Sequence, residues 1–224
     1  MLASKALRTR PLPPRRAVFP RRSTLGAAAL ALVAFLPAPA PAQAPPATEM
    51  PAGPDLLAAL RSGGHILYLR HARADVGEDD TADLADCAHQ RTLSALGQEQ
   101  ARRLGEILRA LAIPVGTVLA SPFCRTLDTA RLAFGRASAA DDLRGAGAGI
   151  EAERPAVVAA LRRHLATPPE AGTNTVIVAH GNNLRWLEGL QLGDAEAAVF
   201  RLEGDGPRLV ARMRPDAWRG LAPR

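Results

Sequence analysis

Residues 65–71 read HILYLRH, and they predict both a structural element and a chemical one. A nearly continuous apolar run follows the turn signal Gly63-Gly64, which is typical of a short strand buried inside a sheet. The run ends at Arg70 and His71, a cation followed directly by a candidate nucleophile. The sequence therefore predicts a buried strand that delivers two reactive side chains at its carboxyl end.

Two later apolar runs end in the same way. Residues 115–120 (VGTVLA) precede a segment that contains Arg125, and residues 175–179 (TVIVA) precede His180. In open sheets of parallel strands, ligands bind beyond the carboxyl ends of the strands. We therefore expect the residues at the three strand ends to share one site.

The segments around these strands have helical patterns. The clearest spans residues 96–111, where leucine and isoleucine side chains repeat with the spacing of one apolar helix face. Further helices are predicted at residues 55–62, 126–134, 155–165 (with Pro155 in the first turn) and 182–190, and a terminal β-hairpin at residues 197–202 and 209–213. This alternation predicts an α/β layered domain with a largely parallel sheet.

The first 42 residues resemble an export leader. Basic residues precede the apolar run 25–36 (LGAAALALVAFL), and small residues follow it, which is the order of a bacterial secretory signal peptide. The run is too short for a bilayer span, which takes about 20 residues. Arg21-Arg22 is also typical of a twin-arginine signal. We predict a signal peptide over residues 1–42, a Pro-rich linker over residues 43–54 and a folded domain over residues 55–224.

This organisation implies a periplasmic or secreted protein with no stable membrane span after cleavage, and an uncleaved anchor is the alternative. The whole chain has a formal charge of +6, from 28 basic and 22 acidic residues. Seven of the basic residues lie in the leader, so the rest of the chain is close to neutral. The high pI therefore gives no indication of a nucleic-acid surface, and no nucleic-acid partner is expected.

The residue types at the strand ends suit phosphoryl chemistry. Arginine presents a planar fork of donors that matches phosphate oxygens. A neutral imidazole can attack phosphorus, and a second histidine adds donors where charge develops. A zinc site made from His71, His180 and an acid is a weaker alternative, because the close ligand pair typical of such sites is missing.

Four motifs resemble the histidine phosphatase (phosphoglycerate-mutase-like) superfamily and occur in its order. LRHA at residues 69–72 resembles the R-H-G signature, and RTLSALGQEQA at residues 91–101 resembles the segment that follows it. SPFCRTLDTA at residues 121–130 resembles S-P-x-x-R-x-x-x-T-A, and AHG at residues 179–181 resembles the second catalytic histidine. The resemblance implies a three-layer α/β/α sandwich with a mostly parallel central sheet.

The resemblance also implies a role for each matching residue. His71 is expected to be the phosphorylated nucleophile and His180 the second catalytic histidine. Arg70 and Arg125, together with His180, are expected to hold the phosphoryl oxygens, and Arg91 to contribute to the same pocket. No metal or organic cofactor is implied.

Two features depart from the family pattern. Ala72 stands where glycine is usual, and its methyl group is expected to narrow the pocket. The family places a general acid in the loop between the second arginine and the second histidine, but no motif identifies that acid here. The candidates are Asp141, Asp142, Glu151 and Glu153, of which Asp142 is preferred.

Cys87 and Cys124 are the two cysteines of the chain. Cys124 directly precedes Arg125, and Cys87 lies four residues before Arg91, so both lie near the pocket if both arginines point into it. Export to an oxidising compartment would permit a disulfide. Our hypothesis is a Cys87–Cys124 disulfide that fastens the acidic loop of residues 74–87 beside the site. A catalytic cysteine is the weaker alternative, because no C-x₅-R loop is present.

The sequence thus predicts an exported phosphatase that hydrolyses phosphate esters through a phosphohistidine intermediate on His71. Two alternatives are a phosphomutase, which returns the phosphoryl group to its substrate, and a protein that binds phosphorylated ligands without turnover. The expected substrates are phosphorylated small molecules, envelope components or phosphoproteins.

Overall fold

A central mixed sheet organises the fold. The computed structural model describes residues 53–76, 83–84, 86–147 and 149–221. Within these residues the sheet has six strands in the order β3-β2-β4-β1-β5-β6. The strands are β1 His65–Arg70, β2 Val115–Ala120, β3 Ser138–Ala139, β4 Asn174–Ala179, β5 Ala197–Glu203 and β6 Gly206–Met213. The predicted signal peptide and most of the predicted linker lie outside the described residues.

Five α-helices are present in the described part of the chain. They are α1 Gly53–Ser62, α2 Ala95–Ala110, α3 Cys124–Phe134, α4 Ile150–Leu165 and α5 Gly181–Glu188. None of the described helices combines the length and apolar content needed to cross a membrane.

The sheet is parallel where the predicted site lies. Strand β4 pairs in parallel with β1 on one side and with β2 on the other, and β2 pairs in parallel with β3. The hairpin β5–β6 adds two antiparallel strands beside β1. Because β1, β4 and β2 are parallel neighbours, their carboxyl ends meet at one edge of the sheet.

The two faces of the sheet are covered by different helices. Successive side chains of a strand point to opposite faces, and β1 shows this with Leu67 and Leu69 in one apolar cluster and Ile66 and Tyr68 in the other. The first cluster contains side chains of α1, α2 and α3, and the second contains side chains of α4 and α5. The prediction of a three-layer α/β/α sandwich with a mostly parallel sheet is confirmed.

Helices α2 and α3 pack in direct backbone contact. A Cβ atom on Gly105 of α2 would lie 1.9 Å from the carbonyl oxygen of Ala133 on α3. Glycine is therefore required there for the two helices to approach each other. This contact holds α3, which begins at the predicted phosphate-binding motif, against α2.

Helix α4 differs from its prediction. It begins at Ile150, so Pro155 lies in its sixth position rather than its first turn. Proline removes the hydrogen bond to the residue four positions earlier, which is Glu151 here. Both residues are exposed, so water can replace the lost partner. The preceding segment, which the sequence left unassigned, contains β3 and a short 3₁₀ turn at Asp141–Leu143.

Candidate active site

The edge where β1, β4 and β2 end brings the two predicted histidines together. His71 follows β1, and its backbone N–H donates to the carbonyl oxygen of Ala179, 3.0 Å away at the end of β4. His180 follows β4 directly. The two rings meet edge to face with their centroids 5.4 Å apart. Residues separated by more than a hundred positions in the chain therefore form one site.

The imidazole of His71 is held in a single tautomer. Its Nδ1 lies 2.8 Å from the carbonyl oxygen of Ala72. A carbonyl only accepts hydrogen bonds, so Nδ1 donates and Nε2 keeps its lone pair. Burial and, to a smaller extent, the positive charges of Arg125, Arg70 and Arg91 together lower the pKa of His71 to about 3, although the hydrogen bond to Ala72 opposes this shift. At neutral pH the ring is therefore uncharged, with a nucleophilic nitrogen at Nε2.

His180 is also buried and uncharged at neutral pH. Burial, followed by the neighbouring His71 and Arg125, holds the pKa of His180 well below its usual range. Its Nε2 lies 2.9 Å from the hydroxyl oxygen of Ser121, the first residue after β2. Its Nδ1 is buried and has no hydrogen-bond partner among the described residues. This ring nitrogen therefore retains an unused capacity for hydrogen bonding.

Arg125 lies in the first turn of α3 and is almost completely buried. Its guanidinium carbon lies 4.6 Å from the centre of the Phe123 ring, a cation–π contact. The hydroxyl group of Thr129, one turn later, donates to the backbone carbonyl of Arg125 and accepts the backbone N–H of Ala72, 3.1 Å away. The start of α3 is thereby tied to the segment that follows the nucleophile.

Arg70 connects β1 to the segment before β5. Its Nη1 donates to the carbonyl oxygen of Leu192 at 2.8 Å, and its Nη2 lies 3.2 Å from a carboxylate oxygen of Asp194. The buried Nε atom has no hydrogen-bond partner in the described part of the chain. The contacts of its two terminal nitrogens thus orient the guanidinium, and its Nε–H is a donor without a partner among the described residues.

A disulfide joins Cys87 to Cys124, with 5.8 Å between their Cα atoms, which confirms the hypothesis drawn from the sequence. The side-chain oxygen of Gln90 accepts the backbone N–H of Cys124 at 3.0 Å. The backbone carbonyl of Arg91 in turn accepts a hydrogen bond from Nη1 of Arg125 at 3.4 Å. The covalent link and these hydrogen bonds hold Arg91 beside the first turn of α3.

The site is a cavity of about 600 Å³ whose described walls are rich in positive charge. Four arginines line it, namely Arg70, Arg73, Arg91 and Arg125. Both histidines line it as well, together with the polar side chains of Asn182 and Gln191. The structure thus brings together five of the six residues predicted for catalysis or substrate binding: Arg70, His71, Arg91, Arg125 and His180.

The sixth residue, Asp142, is placed elsewhere. Its carboxylate lies 2.9 Å from Nε2 of His164 and 3.3 Å from Arg163, both on α4, and it does not line the cavity. Glu151 and Glu153 are exposed in the first turn of α4, and they do not line the cavity either. The placement gives no support to a general acid at these positions. The reason is that α4 packs on the face of the sheet and directs its acidic first turn to solvent.

The described walls of the cavity instead include two carboxylates that the sequence did not single out, Asp75 and Asp194. Asp75 lies four residues after His71, and this proximity is a sequence signal that could have found it. Asp194 lies in the connection between α5 and β5, where the sequence has no motif that indicates a site. Its role beside the cavity is seen only in its ion pair with Arg70.

The methyl group of Ala72 does not narrow the cavity as expected. Ala72 is fully buried and packs in a small apolar cluster with Leu93, Ala101 and Ala195. Its methyl group therefore packs in this cluster, and Ala72 does not line the cavity. Among the described residues, no group of three or more histidine, cysteine, aspartate or glutamate side chains is arranged to hold a metal ion.

Comparison with known proteins identifies a family model that covers three of the predicted site residues. The family model of the histidine phosphatase superfamily (branch 1) matches residues 66–144, which include His71, Arg91 and Arg125. No curated protein matches the chain.

Solved structures match the chain at low sequence identity. A candidate α-ribazole-5′-P phosphatase from Escherichia coli superposes with a TM-score of 0.52 at 15% identity, covering 68% of this chain and 98% of that one. A candidate phosphohistidine phosphatase SixA from Agrobacterium tumefaciens has a TM-score of 0.49 at 17% identity, covering 68% and 98%. A phosphoserine phosphatase from Entamoeba histolytica has a TM-score of 0.46 at 13% identity, covering 67% and 97%. The chain has the α/β fold of the phosphoglycerate-mutase-like phosphatases, and residues 66–144 match the histidine phosphatase superfamily.

Proposed function

We propose that the protein is an exported phosphatase of the histidine phosphatase superfamily that hydrolyses phosphate monoesters through a phosphohistidine on His71. The observation that supports this most directly is the state of the His71 ring. Its Nδ1 is bound to the carbonyl of Ala72, its charge is suppressed, and it lines a cavity with four arginines. A neutral imidazole with a lone pair on Nε2 is a nucleophile placed where a phosphoryl group would be attracted.

The reaction takes two steps at the same phosphorus atom. In the first, Nε2 of His71 attacks phosphorus and the bond to the ester oxygen breaks, so that the alcohol leaves. In the second, water attacks the phosphohistidine, the nitrogen–phosphorus bond breaks and inorganic phosphate is released. The scheme uses only side chains of this chain and needs no metal or organic cofactor.

The positive lining lowers the barrier of both steps. Negative charge spreads over the phosphoryl oxygens during transfer, and donors fixed in advance stabilise it. Arg125 and Arg91 are held by the start of α3 and by the disulfide, and Arg70 by Leu192 and Asp194. His180 lies edge to face with His71, and its Nδ1 has no hydrogen-bond partner among the described residues.

The proposed location rests on the leader and on the disulfide. Disulfides persist in the periplasm and outside the cell and are uncommon in the reducing cytoplasm. A periplasmic or secreted phosphatase would meet phosphorylated small molecules, envelope components or phosphoproteins, and these remain the proposed substrate classes.

Hydrolysis of p-nitrophenyl phosphate by the purified mature protein tests the proposal. The assay is run from pH 4 to 8 with EDTA, beside His71→Ala and the control His164→Ala, whose imidazole lies outside the cavity. We expect EDTA-resistant activity that His71→Ala abolishes and His164→Ala retains. Mass spectrometry under alkaline conditions should detect a phosphoryl group on His71. Activity that survives His71→Ala would refute the mechanism, and phosphate binding without hydrolysis would favour a binding protein.

A further inference from the structure

Phosphate ester cleavage needs a proton donor, and neither the arginines nor the histidines of the site supply one. The leaving oxygen of an alkyl or phenyl ester must be protonated as its bond to phosphorus breaks, and a positioned general acid contributes about 10²–10⁴-fold to such a step. Arginine does not release a proton in proteins. His71 is the nucleophile, and His180 has its pKa held well below the usual range, so it is not an imidazolium at neutral pH. Among the side chains that line the described walls of the cavity, the carboxyl groups are the remaining candidates for the role.

Two carboxylates line the described walls of the cavity, and their surroundings differ. Asp194 is the counterion of Arg70 at 3.2 Å, and a proton on its carboxylate would break that pair. Asp75 has no side-chain hydrogen bond or ion pair with any other described residue, and it is exposed. Its carboxyl group is therefore open both to the cavity and to solvent.

The backbone around Asp75 is fixed although its side chain is free. The N–H of Asp75 donates to the carbonyl of Thr92 at 3.0 Å, and Ala74 forms an antiparallel bridge with Leu93. A Cβ atom on Gly97 would lie 1.9 Å from the carbonyl oxygen of Arg73, so the first turn of α2 rests directly on this segment. Asp75 therefore occupies a defined position four residues after the nucleophile.

The burial of His71 and the exposure of Asp75, which line the same cavity, suit an in-line reaction. His71, Asp75 and Val76 all line the cavity, but His71 is buried whereas Asp75 and Val76 are exposed to solvent. A phosphoryl group seated against the arginines directs its leaving group away from the attacking nitrogen. We expect the leaving oxygen to point towards solvent, to which the Asp75 side chain is also exposed.

We propose that Asp75 is the general acid and base of the reaction, an inference that rests on the function proposed above. In the first step the Nε2–phosphorus bond forms, the phosphorus–oxygen bond breaks, and the carboxylic acid of Asp75 gives its proton to the leaving oxygen. In the second step the carboxylate takes a proton from water as the water oxygen bonds to phosphorus. The nitrogen–phosphorus electron pair returns to Nε2, phosphate leaves, and Asp75 is again protonated.

A pair of aryl phosphates of similar shape tests the role. The p-nitrophenolate ion leaves without a proton, whereas phenolate is a poorer leaving group and benefits from one. The ratio kcat/KM includes no step after loss of the phenol, so it isolates the acid role. For Asp75→Asn we expect kcat/KM for phenyl phosphate to fall about 10²-fold or more and that for p-nitrophenyl phosphate to change by less than about tenfold.

The base role has a separate readout. With p-nitrophenyl phosphate, Asp75→Asn should release a rapid burst of nitrophenolate followed by slower turnover, and phosphohistidine should accumulate. The control Asp194→Asn should change both substrates by the same factor, because its carboxylate acts on Arg70 rather than on the leaving oxygen.

The outcomes separate the two proposals. If Asp75→Asn lowers kcat/KM equally for phenyl phosphate and p-nitrophenyl phosphate, or lowers neither, the role of Asp75 is overturned. The proposed phosphatase function is then left intact. Absence of His71-dependent hydrolysis in the wild-type protein would overturn both.

Discussion

The ring of His71 meets the ring of His180 edge to face at 5.4 Å, and both rings are buried and uncharged at neutral pH. The parallel pairing of β1 with β4 creates this relationship, since it sets Arg70 opposite Ala179 and so places the two following histidines side by side. The site is therefore a direct product of sheet register.

The neutral state of His71 predicts a dependence of stability on pH. The pKa is about 3 in the folded protein against a usual value of 6.5, so the unfolded chain binds the proton first as pH falls. The contribution to stability is fully present above pH 6.5 and is lost as pH falls towards 3. Between pH 6 and 4, the free energy of unfolding should fall faster in the wild type than in His71→Asn, by up to about 1.4 kcal/mol per pH unit.

Urea denaturation of both proteins at several pH values measures this difference. The carboxylates are the same in both proteins, so their contributions to the pH dependence of the free energy of unfolding cancel in the comparison. Parallel curves for the wild type and His71→Asn would contradict a suppressed charge on His71.

Replacement of Arg125 by lysine should weaken phosphate binding. Lysine keeps the charge but loses the planar fork and the stacking on Phe123. The loss of charge-assisted hydrogen bonds predicts a KM for p-nitrophenyl phosphate, and an inhibition constant for inorganic phosphate, that rise roughly 10- to 100-fold. Arg102→Lys, on the exposed side of α2, is the matched control and should have no effect. Unchanged phosphate affinity in a folded Arg125→Lys protein would exclude a direct role.

Removal of the disulfide should destabilise the protein and loosen the site. The bridge closes a loop with a sequence separation of 37, for which the chain-entropy model gives about 4 kcal/mol. Cys87→Ser combined with Cys124→Ser should lower the free energy of unfolding by an amount of that order and raise KM, because Arg91 is no longer held beside α3. A thiol assay on denatured, non-reduced protein should find no free thiol, and detection of two thiols would argue against the bridge.

Asp142→Asn should leave catalysis unchanged. The carboxylate pairs with His164 and Arg163 at the surface and is about half exposed, so its loss should cost less than about 1 kcal/mol. We expect kcat/KM for both aryl phosphates to stay within about twofold of the wild type. A selective loss on phenyl phosphate would instead assign the acid role to Asp142, against its position in the structure.

Local sequence patterns were sufficient for the framework of the site. Apolar runs such as residues 175–179 specify buried strands wherever they occur, and the reactive residues that follow them lie at the strand ends for the same local reason. The helix predicted at residues 96–111 is confirmed within one residue at each end, because its apolar spacing agrees with its packing. Helix α4 was placed wrongly at its start because one exposed proline is tolerated within a helix.

The sequence by itself determined the α/β class, every described strand except β3, and the grouping of His71, Arg125 and His180 at one edge. Each of these depends on nearby residues and on the rules of parallel sheets. Only the tertiary structure decided which carboxylate reaches the cavity. The carboxylate of Asp142 forms a hydrogen bond with His164 of α4, whereas the backbone N–H of Asp75 donates to the carbonyl of Thr92 and so fixes Asp75 beside the cavity. These positions result from contacts between distant segments, and such contacts have no local signature in the sequence.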